Sequence, residues 1–112
     1  IKEKAKNCLL WEGDVNTTVN NFTFFGTQHR PDFVVKIDKL SVAVEVKKGE
    51  TGSSLREGIG QSLVYSSSFD FVVYLYVDIS KDKKIRDSMN GVKEQELIND
   101  LWDSHNALFQ VV

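Results

Sequence analysis

The chain has little of what disulfide-bonded and membrane-spanning proteins are built from. Its 112 residues contain one cysteine, Cys8, and one proline. A single cysteine excludes an internal disulfide and is compatible with a reducing cytosol. No apolar run approaches the roughly 20 residues that a membrane-spanning helix needs, and no signal peptide is visible. We therefore expect a cytoplasmic (intracellular) protein that does not associate with a membrane.

An excess of positive charge is also missing. Fourteen Lys and Arg residues stand against sixteen Asp and Glu residues, which gives a formal net charge of −2. Because many DNA-binding domains are basic, this balance argues against a non-specific, high-affinity binder of nucleic acid. It weighs less against a nuclease, since bound divalent cations would reverse the potential at the carboxylates. With 41% hydrophobic and 27% charged residues, residues 1–112 read as a single globular domain.

Apolar periodicity predicts an α/β fold with the element order α-β-β-β-α-β-α-β, a mixed central sheet flanked by helices. Predicted helices cover residues 1–11, 54–67 and 92–103. Predicted strands cover 17–25, two runs within 31–47, 71–77 and 108–112. The remaining segments read as a polar loop (26–30), a charged loop (78–91) and a mobile glycine-rich loop (48–60) that runs into the second helix.

The run FVVYLYV at residues 71–77 is typical of an interior strand covered on both faces. With the preceding strand and helix it makes a βαβ unit, which predicts that strands 42–47 and 71–77 are parallel. Asp32 at the start of the hairpin and Glu45 near its end then lie at one edge of the sheet. Open α/β sheets tend to place their sites at that edge.

The hairpin within 31–47 carries charges where core strands are apolar. A turn at Lys39-Leu40 predicts that Asp32 lies opposite Lys47 and Val34 opposite Glu45. Asp32 and Glu45 would then share a face as diagonal neighbours, about 7–8 Å apart. Two carboxylates there would repel each other and lose hydration, so the pattern favours a bound cation, and oxygen ligands suit Mg²⁺ or Mn²⁺. The alternative is a structural ion pair at a solvated strand end.

These residues resemble a known signature. Pro31-Asp32, a spacer of twelve residues and Glu45-Val46-Lys47 resemble the motif of the PD-(D/E)XK nuclease superfamily, which has the restriction-endonuclease-like fold. Gln61 to Tyr65 resembles the Q-x-x-x-Y element of RecB-like and CRISPR-associated nucleases. The sequence from Arg30 to Val35 is similar to that of the nuclease domain of type I restriction subunits. The resemblance spans residues 26–78, and the single cysteine departs from members that carry a four-cysteine iron–sulfur cluster.

The resemblance implies an αβββαβ core and a metal-dependent nuclease that hydrolyses DNA phosphodiester bonds. Asp32, Glu45 and the Val46 backbone carbonyl would bind Mg²⁺ (or Mn²⁺). Lys47 would orient or help activate the attacking water, and Gln61 would steady the site or contact substrate. Two groups of further candidates are the contacts to nucleic acid, Lys48, Arg56 and Tyr65, and the additional N-terminal acid, Glu3 or Glu12.

A second basic group follows the strand at 71–77 and is a candidate phosphate contact, with a solvated loop as the alternative: Lys81, Lys83, Lys84 and Arg86.

Other functions stay open at this point. A catalytically inactive nuclease-like module for nucleic-acid binding or assembly is favoured by the acidic balance and disfavoured by the intact Asp, Glu and Lys. An RNA-cleaving endonuclease is a further alternative, because no motif reads a 2′-hydroxyl. One compact domain offers little surface for a long specific site, so a homodimer or a larger parent polypeptide is compatible with either activity.

Overall fold

The structure is a computed structural model that describes residues 9–11 and 22–112. Most of the first predicted helix, both candidate N-terminal acids and residues 17–21 of the first predicted strand lie outside the described residues. The described strands are β1 (Leu9–Trp11), β2 (Phe22–Phe24), β3 (Thr27–His29), β4 (Phe33–Ile37), β5 (Leu40–Gly49), β6 (Phe71–Asp78) and β7 (Ala107–Val111). The helices are α1 (Gly52–Ser66), α2 (Lys84–Ser88) and α3 (Val92–His105), with a 3-10 turn at Lys81–Lys83.

Five of these strands form one mixed sheet in the order β1-β4-β5-β6-β7, and β2 and β3 form a separate two-stranded sheet. β1 and β5 run antiparallel to β4, whereas β6 runs parallel to both β5 and β7. In the β5–β6 pair, Val42 lies opposite Phe71 and Gly49 opposite Asp78. The fold is therefore of the α/β class, and the predicted parallel βαβ unit is confirmed.

The predicted helix over residues 1–11 is wrong at its C-terminal end. Leu9–Trp11 is strand β1, in which Leu9 pairs with Val35 and Trp11 with Phe33. Local apolar spacing suits a helix here, but pairing satisfies the backbone groups along the outer edge of β4. A long-range partner has overridden the local preference.

The predicted loop at 26–30 is wrong as well, because Thr27–His29 is strand β3 of a short hairpin with β2. Phe25 and Gly26 make its two-residue turn, with φ of 52° and 74°. Positive φ at both central positions matches the right-handed twist of the flanking strands. The Phe25 side chain is 92% exposed, so the turn is held by backbone geometry and not by burial of that ring.

The glycine-rich segment 48–60 is ordered and not the predicted loop. β5 continues to Gly49, and α1 begins at Gly52 with Thr51 as its N-cap. The Thr51 hydroxyl accepts a hydrogen bond from the Ser54 amide at 3.2 Å, which satisfies one of the open N–H groups of the first turn. The charged loop predicted at 78–91 likewise contains the 3-10 turn and α2.

The core lies between one face of the sheet and helices α1 and α3. We call this the helix-covered face. Its buried sheet residues are Ala43, Val72, Tyr74, Tyr76, Ala107 and Phe109, and the helices add Tyr65 and Leu101. Tyr74 stacks on Phe109 with ring centroids 5.1 Å apart. Buried and half-buried residues alternate along β6, so every second side chain of this strand lies toward α1.

The opposite face of the sheet is only half-buried by the elements described. β6 was predicted to be covered on both faces, yet the residues alternating with its buried ones are intermediate in exposure. Val46 on β5 is 40% exposed and Leu108 on β7 is 42% exposed. Trp102 of α3 stacks on Phe71 at 6.0 Å. No helix in the described part of the chain is both long and apolar enough to cross a membrane.

Candidate active site

The hairpin that carries the site turns one position earlier than predicted. Ile37 pairs with Leu40, so the turn residues are Asp38 and Lys39, and Val34 lies opposite Ala43 and not Glu45. Asp38 adopts a left-handed conformation with φ of 55°, which a short polar side chain tolerates. The pairing register has shifted by two residues, and an even shift keeps every side chain on its predicted face.

Asp32 lies immediately before β4, and its carboxylate contacts the backbone of β5. Its Oδ2 accepts a hydrogen bond from the Val46 backbone amide at 2.9 Å. Pro31 beside it is fully buried, so the backbone that delivers Asp32 is anchored in the protein. Phe33 lies opposite Val44, so the register continues to Asp32 opposite Glu45, a direct cross-strand position in place of the predicted diagonal one.

Glu45 is the most strongly perturbed acid of the site. Burial raises the pKa of its carboxyl, the charge of Asp32 raises it further, and a hydrogen bond with Tyr65 partly lowers it, which leaves the pKa at about 7. Its Oε2 is buried without a hydrogen-bond partner. A buried carboxylate that is only partly satisfied and faces a second acid is costly, and such perturbed groups gather at functional sites.

Helix α1 closes the site from above the sheet. Tyr65 is 2% exposed, and its ring meets Phe69 edge-on at 6.5 Å. Tyr65 is therefore buried against Glu45, with which it makes a hydrogen bond, and its contact with nucleic acid stays a prediction. Gln61 is half-buried one helical turn earlier and shares the helix face of Tyr65, as its spacing predicts.

Lys47 has a partner that was not predicted from the sequence. Its Nζ lies 3.0 Å from Oε2 of Glu57, with 27% of the lysine side chain and 71% of the glutamate side chain exposed. Glu57, Gln61 and Tyr65 are spaced four residues apart on α1, so they form one row on the helix surface. That spacing was the signal that could have identified Glu57.

The structure does not bring Lys48 and Arg56 to the carboxylates. Lys48 is exposed and follows Lys47 directly on β5, so its side chain leaves from the opposite face of the sheet. Arg56 is exposed and lines a separate cavity of about 280 Å³ between α1 and α3, together with Leu55, Ile59 and Leu97. Neither residue lies beside Glu45 in the structure, and their contact with nucleic acid stays a prediction.

Asp32 and Glu45 fit a divalent cation through the chemistry of their surroundings. The charge of Asp32 raises the pKa of the Glu45 carboxyl beyond the effect of burial, and one buried oxygen of Glu45 has no hydrogen-bond donor. Among the residues described, no group of three or more His, Cys, Asp or Glu side chains is arranged to hold a metal. The predicted third ligand is a backbone group, the Val46 carbonyl, and the side chain of Val46 lies on the other face.

Comparison of the chain with protein-family models, with curated proteins and with solved structures finds no match to any of the three.

Proposed function

We propose that this chain is a metal-dependent nuclease of the PD-(D/E)XK type that hydrolyses DNA phosphodiester bonds. One observation carries the proposal: Asp32 and Glu45 form a close carboxylate pair in which burial and mutual charge raise the pKa of Glu45 to about 7. Lys47 follows two residues later on the same face of β5. A pair of carboxylates beside a lysine is the donor set that metal-assisted phosphodiester hydrolysis uses.

The arrangement of elements supports the restriction-endonuclease-like core that we propose for the fold. An antiparallel hairpin, β4–β5, is followed by a crossover helix and a parallel strand, β6. Asp32 precedes the first hairpin strand and Glu45 lies within the second, so the acids meet at the open end of the hairpin. The predicted position at the carboxyl end of the parallel pair is wrong for Glu45, because β5 continues to Gly49 and Glu45 lies opposite Tyr74 in the middle of the β5–β6 pair.

Asp32, Glu45 and the Val46 carbonyl would hold the Mg²⁺ or Mn²⁺ ion. Such an ion would supply positive charge to the phosphate oxygens and make a water molecule more acidic. The hydrogen bond from the Val46 amide fixes one oxygen of Asp32, and the charge of Asp32 acts on the Glu45 carboxyl. The protein therefore preorganises the two acids before substrate arrives, which is what an electrostatic site requires.

Lys47 and its neighbours on α1 act on the water and the phosphate. The ammonium group is paired with Glu57 at 3.0 Å, which keeps it on the helix-covered face. From there it can donate a hydrogen bond to the attacking water or to a phosphate oxygen as negative charge develops. The Gln61 amide, one turn from both Glu57 and Tyr65, would contact the substrate backbone.

Purified protein is expected to nick supercoiled plasmid with Mg²⁺ or Mn²⁺ and not with EDTA. Lys47→Ala should reduce the rate by roughly a hundredfold, because one positioned donor to a developing charge contributes on that order. The matched control is Lys39→Ala, which removes the same charge at the far turn of the hairpin. The rates of nicking are compared on gels at equal protein concentration.

The control variant and the range of substrates determine how the cleavage assay is interpreted. Lys39→Ala should cut at the wild-type rate, since Lys39 is exposed and remote from the acids. The nuclease proposal is wrong if the protein cleaves none of plasmid, linear duplex, single strands and RNA and binds no Mn²⁺ by calorimetry. The chain would then be an inactive binding module.

Binding of Mn²⁺ is expected to strengthen as the pH rises through 7. Because the pKa of Glu45 lies at about 7, a proton competes with the ion below that pH. Affinity should fall about tenfold for each pH unit below 7, with proton release on binding near pH 7. Calorimetry in two buffers of different ionisation enthalpy measures both quantities, and an affinity that stays constant from pH 5.5 to 8 would contradict the assignment of Glu45 as a ligand.

A further inference from the structure

The tip of the β2–β3 hairpin presents an aromatic side chain to solvent. Phe24 pairs with Thr27, so Phe25 and Gly26 are the two turn residues. Phe25 is 92% exposed, the highest value among the large apolar residues in the described part of the chain. Burial of its ring therefore contributes almost nothing to the free energy of folding.

Phe25 is also not the residue that this turn favours. Its φ is 52°, in the left-handed region, where a bulky side chain is strained. Asn, Asp or Gly is usual at this position, and Asn-Gly is the most favoured pair in a two-residue turn with two positive φ angles. The phenylalanine thus costs free energy in the turn and adds none by burial. Such a conflict between a residue and its position is found most often at functional sites.

The hairpin lies in the part of the chain that has no negative charge. The protein has sixteen Asp and Glu residues, but none between Asp14 and Asp32. Residues 15–31 are the longest segment of the sequence without an acid, and they include both strands of the hairpin and its tip. This segment does not repel a polyanion, although the chain as a whole has a net charge of −2.

Arg30 follows β3 directly and carries a positive group at the end of the same segment. Its Nε is buried and has no hydrogen-bond partner within the described part of the chain. A charged donor that is buried without an acceptor is costly, so binding of an acceptor there is favourable. Phosphate matches the arginine fork through two parallel N–H groups. Arg30 precedes Asp32 by two residues, which places it at the edge of the candidate active site.

We propose that Phe25 stacks on an unpaired base of the nucleic acid that the active site cuts and that Arg30 binds a phosphate of the same strand. The inference rests on the proposed function for the class of its partner. An aromatic ring stacks on any base, whatever the sequence, provided that the base is not paired in a duplex. The preferred substrate is therefore a single strand or the frayed end of a duplex.

The length of chain between Phe25 and Asp32 limits how far the stacked base lies from the acids. The two residues are seven positions apart. An extended chain spans at most about 3.6 Å per residue, so the tip is no more than about 25 Å from Asp32. That distance corresponds to about seven nucleotides at a rise of about 3.4 Å per nucleotide. A single strand of about 15 nucleotides is long enough to reach both places.

The first experiment measures binding of a labelled single strand by fluorescence anisotropy, with the whole protein in EDTA. Phe25→Asn should weaken binding at least about tenfold, because one base stacked on an aromatic ring contributes a factor of that order. The same substitution should leave Tm unchanged or raise it, because Asn suits a φ of 52° before glycine. Loss of affinity without loss of stability excludes misfolding as the cause.

Two further variants separate stacking from apolar contact. Phe25→Trp should bind at least as tightly as the wild type, whereas Phe25→Leu, which is apolar but not planar, should be as weak as Phe25→Asn. The matched control is Leu40→Asn, which removes a 52% exposed apolar side chain beside the turn of the β4–β5 hairpin. This control should bind as the wild type does.

Arg30 and Phe25 should differ in the effect of salt. Arg30→Gln should weaken binding and reduce the slope of log Kd against log salt by about one unit, because one phosphate contact is lost. Phe25→Asn should leave that slope unchanged, because stacking releases no counterion. An Arg30→Gln protein with wild-type affinity and slope would overturn the phosphate contact.

A strand with abasic sites tests the stacked base directly, since it keeps the phosphates and lacks the bases. The wild type should bind it about as weakly as Phe25→Asn binds the complete strand, and the variant should not distinguish the two strands. Equal affinity of the wild type for both strands would overturn base stacking. The exposed ring would then serve another partner, such as an apolar pocket on a protein.

The cleavage assay separates this inference from the proposed function. On single strands, Phe25→Asn should raise KM about tenfold and leave kcat unchanged, because the contact is remote from the reacting phosphate. Cleavage and binding that are both unaffected by Phe25→Asn would overturn the inference and leave the nuclease in place. Binding that depends on Phe25 in a protein that cuts no nucleic acid would support the inference and contradict the nuclease.

Discussion

Glu45→Gln is expected to abolish metal-dependent cleavage, by about a thousandfold or more, while making the metal-free protein more stable at pH 8. The loss of activity follows because a neutral amide is a poor ligand for Mg²⁺ and Mn²⁺ and gives up several kcal/mol of charge stabilisation at the phosphate. Glutamine keeps the size of the side chain and its contact with Tyr65. Only the charge and its affinity for a cation are removed.

The gain in stability follows from the direction of the pKa shift. The pKa of Glu45 is raised from 4.5 to about 7 by burial, then by Asp32, so the folded state binds a proton more tightly than the unfolded state. Its contribution to stability is fully present below pH 4.5 and is lost as the pH rises through 7. Glutamine resembles the protonated acid, so the variant avoids that loss, on the order of 1–2 kcal/mol at pH 8.

Thermal unfolding from pH 5 to 8 measures this effect in the metal-free protein. The wild type should lose stability over that range relative to Glu45→Gln. The matched control is Glu57→Gln, which removes a 71% exposed carboxylate whose ion pair with Lys47 is worth at most about 1 kcal/mol. A Glu45→Gln protein that still cuts DNA, or that unfolds more readily than wild type at pH 8, would show that Glu45 is a structural acid.

Gly58→Ala is expected to destabilise the protein by roughly 2–4 kcal/mol, which corresponds to a fall in Tm of about 5–15 °C. A methyl group at Gly58 would overlap the ring and hydroxyl of Tyr74. Tyr74 is 1% exposed, donates to the Leu55 carbonyl at 3.2 Å and stacks on Phe109, so it has no room to withdraw. The helix itself would have to move off the sheet.

Gly60→Ala, two residues along the same helix, is the matched control and should have the opposite sign. A methyl group at Gly60 meets no atom within 4 Å. Replacing glycine by alanine at an exposed helical position stabilises by about 0.5–1 kcal/mol, because the unfolded chain loses freedom. Denaturant unfolding of the two variants distinguishes them, and a Gly58→Ala protein as stable as Gly60→Ala would mean that α1 does not pack on Tyr74 as described.

The sequence was enough to predict the βαβ unit and the face that carries Glu45 and Lys47. Both follow from periodicity, because a run of β-branched and aromatic residues continues as a strand and side chains alternate with period two. The pairing of the hairpin was predicted two residues away from its observed register. Asp38 adopts a left-handed turn conformation that local sequence preferences do not identify. The side chains still lie on their predicted faces because the register differs from the prediction by two residues, an even number.

Long-range partners account for what the sequence did not predict. Strand β1 forms because it can pair with the outer edge of β4. Lys47 pairs with Glu57 because α1 crosses over β5 near Lys47. Lys83 looked like a phosphate contact but donates to the Asp78 carbonyl. In each case the contact is with a residue that is distant in sequence, or it depends on a detail of the fold that residue spacing does not encode.

The register of β5 against β6 also sets the order in which the site is assembled during folding. The β4–β5 hairpin closes between Ile37 and Leu40, whereas partners across β5 and β6 are 29 positions apart in the chain. Hairpins form in about 1–10 μs, and pairings that close long loops are slower. The two acids therefore meet early, while still hydrated, and Tyr65 arrives later with α1. We expect the docking of α1 to require the dehydration of Glu45, and a proton on that side chain to speed this step, because burial disfavours the charged form.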